Sequence, residues 1–106
     1  MLNRTKIWRN YFGNRFSGFD YCGREISINS PWTIEHINAD INSNAYSNLI
    51  PAHYESNYNK ANKSVWWDND YELRVIKLKN SDYQYAIKRR KYDEENFEWV
   101  TPRNFR

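Results

Sequence analysis

Three segments decide the reading of this chain: Pro31-Trp32-Thr33-Ile34-Glu35-His36-Ile37, then Ser47-Asn48-Leu49-Ile50-Pro51, then Ser56-Asn57-Tyr58-Asn59-Lys60. The first is β-rich and alternates, with Trp32, Ile34 and His36 on one face and Thr33, Glu35 and Ile37 on the other. Residues 38–47 are polar and loop-like. Asn48 opens a short apolar run, and residues 51–63 read as a helix, because proline is accepted in a first helical turn. The expected order is strand, loop, short strand, helix. Inside it lie an acid-His pair, an Asn twelve residues after the His, and an Asn-x-x-Lys that starts nine residues later.

Working outward, residues 4–12 predict a short helix with Ile7, Trp8, Tyr11 and Phe12 on one side and Gly13 as its terminator. Phe19 to Ile26, punctuated by Gly23, reads as a knuckle leading into a short strand. Beyond Lys63, two alternating runs flank the turn signal Asn80-Ser81-Asp82, which predicts a hairpin of roughly 71–79 with 83–91, one arm as a helix being the alternative. Trp66-Trp67 predicts one ring in the core and one partly exposed, with base stacking as the lesser alternative. The fold class is α+β.

At 106 residues the chain is expected to form one domain, residues 1–106, with a modest core. Aromatic residues make up 18%, and rings are an efficient way to fill a small core. The net charge of +3 is mild, but Arg4, Lys6, Arg9 and Arg15 crowd one end, and Lys88, Arg89, Arg90 and Lys91 with Arg103 and Arg106 crowd the other. Basic ends suit a polyanion, since each cation that meets a phosphate releases a counterion. The alternatives for the 88–91 run are a solvated surface or a guarded strand edge. The single cysteine, Cys22, allows no disulfide within the chain and fits a reducing cytoplasm. The N-terminal residues lack an apolar core of the secretory kind, and no window approaches a membrane span.

The order and spacing of Glu35-His36, Asn48 and Asn57-x-x-Lys60 resemble the HNH nuclease motif, the centre of the ββα-metal fold. The resemblance covers about residues 19–64, with an N-terminal helix before the motif and an extension of about 65–106 as a C-terminal β-hairpin. The proteins it resembles are of the phage or mobile-element type, in a zinc-less variant. The phrase Asn96-Phe97-Glu98-Trp99-Val100-Thr101-Pro102 is also similar to one found in some of them, though no suitable His precedes it here. The resemblance implies a metal-dependent endonuclease acting on DNA in a bacterial host cytoplasm, with a homodimer as one route to a double-strand break. It implies His36 as general base, Asn48 as the residue that holds the loop and orients it, and Glu35 and Asn57 as ligands of one Mg²⁺ or Mn²⁺. Lys60, Lys63, Arg4, Lys6, Arg9, Lys88, Arg89 and Arg90 are the candidate nucleic-acid contacts, with support of the site as the alternative for Lys60.

Two departures stand out. Glu35 occupies a position usually held by Asp or His, and its extra methylene moves the carboxylate by about 1.5 Å. Many HNH proteins also bind a structural zinc, and alignment on the motif places its ligands at Phe19, Cys22, His53 and Ser56. Only two of these suit zinc, where a closed site needs four, so zinc is expected to be absent and Phe19 is expected to pack in its place. Two other functions compete. One is a catalytically weak or inactive HNH scaffold that binds nucleic acid or serves phage counter-defence. The other is a small RNA-binding or ribonuclease module that uses the aromatics.

Overall fold

In the computed structural model, which describes residues 2–42, 44–78, 85–102 and 105, the decisive stretch forms an antiparallel hairpin and a helix. Helix α1 (Arg4–Phe12) comes first, then β1 (Ser17–Phe19), β2 (Glu25–Ser27), β3 (Thr33–His36), a 3-10 turn (Tyr46–Asn48), β4 (Leu49–Ala52) and α2 (Tyr54–Lys60). Strands β5 (Val65–Asp68), β6 (Tyr71–Lys77), β7 (Tyr85–Lys91) and β8 (Glu98–Trp99) complete the chain. β1 pairs with β2, β3 with β4, and β5-β6-β7-β8 form one antiparallel sheet. The architecture is α+β, and its radius of gyration, 12.9 Å, is that of a compact chain of this length.

The β3–β4 hairpin is a wall between two cores. Leu49 belongs to one core with Ile7, Trp8, Ile26 and Trp32. Ile50 and Ala52, on the opposite face, belong to the other with Tyr21, Cys22, Ile37, Trp66, Leu73, Ile87 and Phe105. All four residues of β4 are buried, which is why its sequence is an unbroken apolar run and not an alternation. Pro51 lies within β4, opposite Ile34, and not in a helix as its sequence predicts. Among the described residues β4 pairs with β3 alone, which leaves room for the missing N–H on its other side. The helix therefore starts later, at Tyr54, capped by His53 Nδ1 accepting from Glu55 N.

Helix α1 has the predicted bounds. Asn3 Oδ1 accepts from Lys6 N, and Gly13 closes the C-terminus at φ 65°. Its Ile7 and Trp8 are buried, and Tyr11 Oη donates to Val100 O, tying the helix to the C-terminal segment. The predicted hairpin forms as β6 and β7, in the register Tyr71↔Lys91 to Lys77↔Tyr85, but inside a four-stranded sheet and not as a free arm. Its turn signal, residues 80–82, and Arg103 and Arg106 lie outside the described residues. Trp66 is 2% exposed and Trp67 60%, as strand alternation requires. No helix among the described residues is long and apolar enough to cross a membrane.

Candidate functional site

β3 ends at His36, and the chain turns at once, with Ala39 N donating to His36 O at 3.0 Å. Glu35 and His36 leave opposite faces of the strand, as adjacent residues must. The His36 ring is partly exposed, and its Nε2 lies 3.0 Å from Asn44 Oδ1. Asn44, which sequence reasoning missed, is the side chain that touches the ring. Only its place in the polar loop after the strand could have signalled it.

Asn48 is fully buried and works on the loop itself. Its Oδ1 accepts from Asn38 N, its Nδ2 donates to Asn38 Oδ1 at 2.8 Å, and its backbone carbonyl accepts from Ile37 N. It thus fixes the chain that leaves His36, acting on the ring's surroundings through the backbone.

Helix α2 lies against the Thr33 and Glu35 face of β3. Asn57 Nδ2 donates to Thr33 Oγ1 at 3.0 Å and to Ile34 O at 3.4 Å. One turn on, Lys60 is fully buried. Its Nζ lies 3.3 Å from Glu35 Oε1, 3.4 Å from His36 O and 5.6 Å from the centre of the Trp66 ring. Lys60 therefore supports the end of β3 from inside. Glu35 is 3% exposed, and its other oxygen, Oε2, is buried with no hydrogen-bond partner. Burial pushes its carboxyl up to about 7, against the pull of the Lys60 ammonium.

That shift has a stability consequence. The unfolded carboxyl titrates near 4.5, so between pH 4.5 and 7 the folded chain holds the extra proton, and stability falls as pH rises through this window. The fall is on the order of 3 kcal/mol. Urea midpoints at pH 5 and pH 8 are expected to show it in the wild type but not in the Glu35→Gln, Lys60→Met double variant.

A hard divalent cation takes oxygen ligands. The motif would offer it Glu35 Oε2 and Asn57 Oδ1, but Oε2 is enclosed with the Tyr21 hydroxyl beside the carboxylate, and Asn57 turns its nitrogen to the strand. Lys60 beside the carboxylate opposes a further positive charge and lowers the affinity. Among the described residues no three or more His, Cys, Asp and Glu side chains group as a metal cage. The pair Glu35 and Asn57 is a sparser set than such a cage.

The positions aligned with a structural zinc form a different device. Phe19 is 59% exposed, so it does not pack into the expected gap. Its β1 neighbour Gly18 lies against the Phe12 ring, and the Phe19 side chain alternates outward. Asp20 holds the knuckle instead. Its Oδ1 accepts from Cys22 N and Arg24 N, and its Oδ2 accepts from His53 N, joining the knuckle to the start of α2. Gly23 supplies the positive φ, 77°, that the turn needs. The Arg24 guanidinium then bridges Asp68, Ser56 Oγ and Glu55, while the buried Cys22 thiol donates to Asp68 Oδ2. Burial alone would raise the Asp68 carboxyl, but the Arg24 hydrogen bonds prevail and hold it below the ordinary range. Asp20→Ala strands these N–H donors, and a loss of about 2–3 kcal/mol in chemical denaturation is expected.

The basic candidates are spread out and mostly engaged. Arg4 donates to Trp32 O and stacks on its ring, Lys6 lies over Tyr46, and Arg9 donates to Asn14. Lys88 lies over Phe97 and Trp99. Arg89 binds Tyr21 O and Glu98, and Arg90 binds Glu72 and Glu95 O. The 88–91 run thus pairs with β6 along its whole length, and β8 covers Lys88 and Arg89 on the other side. Lys63 is exposed three residues past the end of α2, its Nζ 3.4 Å from Asn59 O. A comparison with protein-family models, curated proteins and solved structures finds no match.

Proposed function

We propose that the chain is a metal-dependent HNH-type endonuclease that hydrolyses DNA phosphodiester bonds. The observation that carries this reading is the packing of α2 on β3. Asn57 and Lys60, spaced as in the motif, both reach the strand that ends in Glu35-His36. Helical spacing of three puts both side chains on one face, and that face is the one packed on the end of β3.

In this reading Glu35 and Asn57 would hold a divalent cation at the seam where the chain leaves β3, where it would supply positive charge to the phosphate and to the leaving oxygen. His36 takes the proton of the attacking water. With Nε2–H donating to Asn44 Oδ1, Nδ1 carries the free lone pair and is the base. Asn48 keeps the loop from carrying the ring away, and Lys60 fixes the β3 terminus through His36 O. The test is nicking of supercoiled plasmid with Mg²⁺, Mn²⁺ or EDTA. Metal-dependent nicking that Asn57→Ala weakens supports the reading. No nicking in either metal sinks it.

The second reading, an HNH scaffold that binds without cutting, is favoured by one observation. The carboxylate expected to hold the cation is buried and already paired with an ammonium. Plasmid retardation on a gel without cleavage would select it.

A further inference from the structure

Two shallow depressions run along the outer side of α2 and a third lies beyond its end, and shared residues join them into one groove. The first, beside the loop that follows His36, is bordered by Asn38, Asp40, Lys63 and Lys77. Lys63 also borders the second, with Tyr58, Asn59 and Trp67. Tyr58 and Asn59 continue into the third, which Tyr54 closes. Their volumes, about 400, 630 and 620 Å³, lie within the span of small-ligand sites.

The exposed aromatics are the telling feature. Tyr54, Tyr58 and Trp67 are 62%, 83% and 60% exposed and border connected depressions, whereas the other exposed rings, Phe16, Phe19, Tyr92 and Trp99, lie outside them. Tyr54 and Tyr58 are one turn apart and so stand on one side of α2. Alternation in β5 turns Trp67 outward while Trp66 goes in. The cations Lys63 and Lys77 stand at the end nearest the candidate site. Asp40, the acid at that end, has its Oδ1 engaged by Asn42 N, and Glu55 at the far end is paired with Arg24.

We propose that this groove binds a single strand of nucleic acid, with Lys77 and Lys63 on phosphates and Trp67, Tyr58 and Tyr54 stacking on successive unpaired bases. Cations followed by open rings suit a polymer of alternating charge and flat faces. A duplex hides its base faces, so the same row gives it little. The proposal rests on the nucleic-acid reading above and names the form of the polymer as single-stranded beside the point of attack, but it does not require cleavage.

The test is fluorescence anisotropy of a labelled short oligothymidylate in EDTA, so that binding is measured with no catalysis. Tyr58→Ala and Trp67→Ala each remove an exposed ring and are expected to weaken binding about tenfold, the effect of a lost base stack. Lys63→Ala is expected to weaken it less and to flatten its salt dependence. Tyr92→Ala, at a ring 66% exposed outside the groove, is expected to change nothing. Unchanged binding in the Tyr58 and Trp67 variants, or an equal loss in the Tyr92 variant, overturns the proposal. So does absence of binding with concentration-dependent dimerisation, which gives the row to a second copy of the chain. Binding without nicking in metal keeps this proposal and sinks the nuclease reading, so the two fail separately.

Discussion

The His36→Ala protein is expected to nick supercoiled plasmid about 10²- to 10⁴-fold more slowly than wild type in Mg²⁺ or Mn²⁺, the usual worth of a positioned general base. The fold should be almost untouched. The His36 ring is partly exposed and its named partner is Asn44 on the exposed loop, so thermal melting is expected to shift by no more than a surface substitution does. Asn44→Ala makes a finer comparison. It frees the ring to rotate and removes the acceptor that selects the tautomer, so a smaller loss is expected, largely recovered in Asn44→Asp. Equal nicking by wild type and His36→Ala would reject His36 as base and leave any cleavage to another group.

The parts of the fold that were legible share a physical trait: each is governed by local chemistry. Helix α1 has a side-chain cap at Asn3 and a glycine at its end, so its bounds follow from the sequence. Trp66 and Trp67 separate because a strand alternates. Pro51 misled because a residue allowed in the first turn of a helix is also allowed on a strand with one partner, and the choice belongs to the packing of β4 between two cores. Phe19 misled because the knuckle is held by Asp20, whose bond to His53 N spans 33 residues and leaves no local pattern. For the site, the sequence offered Lys60 as a phosphate contact or as a support of the site, and its place beside Glu35 and His36 O is that of a support. The strand's alternation also foretold that Glu35 and His36 part. What spacing could not carry is burial. Lys60 was a candidate phosphate contact, yet it is the most enclosed charge of the site, because whether a lysine faces water depends on what packs over α2, here Trp66.

Burial of Lys60 makes its removal the largest stability change expected of the site. Lys60→Met keeps length and apolar bulk but leaves Glu35 inside without its counter-charge, and breaking a buried pair from one side costs about 3–5 kcal/mol. The loss should depend on pH. Without the ammonium the Glu35 carboxyl rises above its present value of about 7, so at pH 8 the variant folds only by taking up a proton or by enclosing a bare charge. Below pH 4.5 the carboxyl is neutral in both states and most of the penalty disappears. Urea midpoints at pH 4 and pH 8 measure this difference, with the full loss expected only at pH 8. Adding Glu35→Gln to Lys60→Met removes the charge that suffered, and the double variant should recover most of the stability, since a buried ion pair is often no better than a neutral replacement. A single variant as stable as wild type at pH 8 would mean that water or a neighbouring group already compensates Glu35. If the double variant instead regains stability but not nicking, the pair is kept for the site, Glu35 as the proposed ligand and Lys60 as the support of His36 O, and not for folding. That would account for a charge being enclosed where an apolar side chain would pack as well.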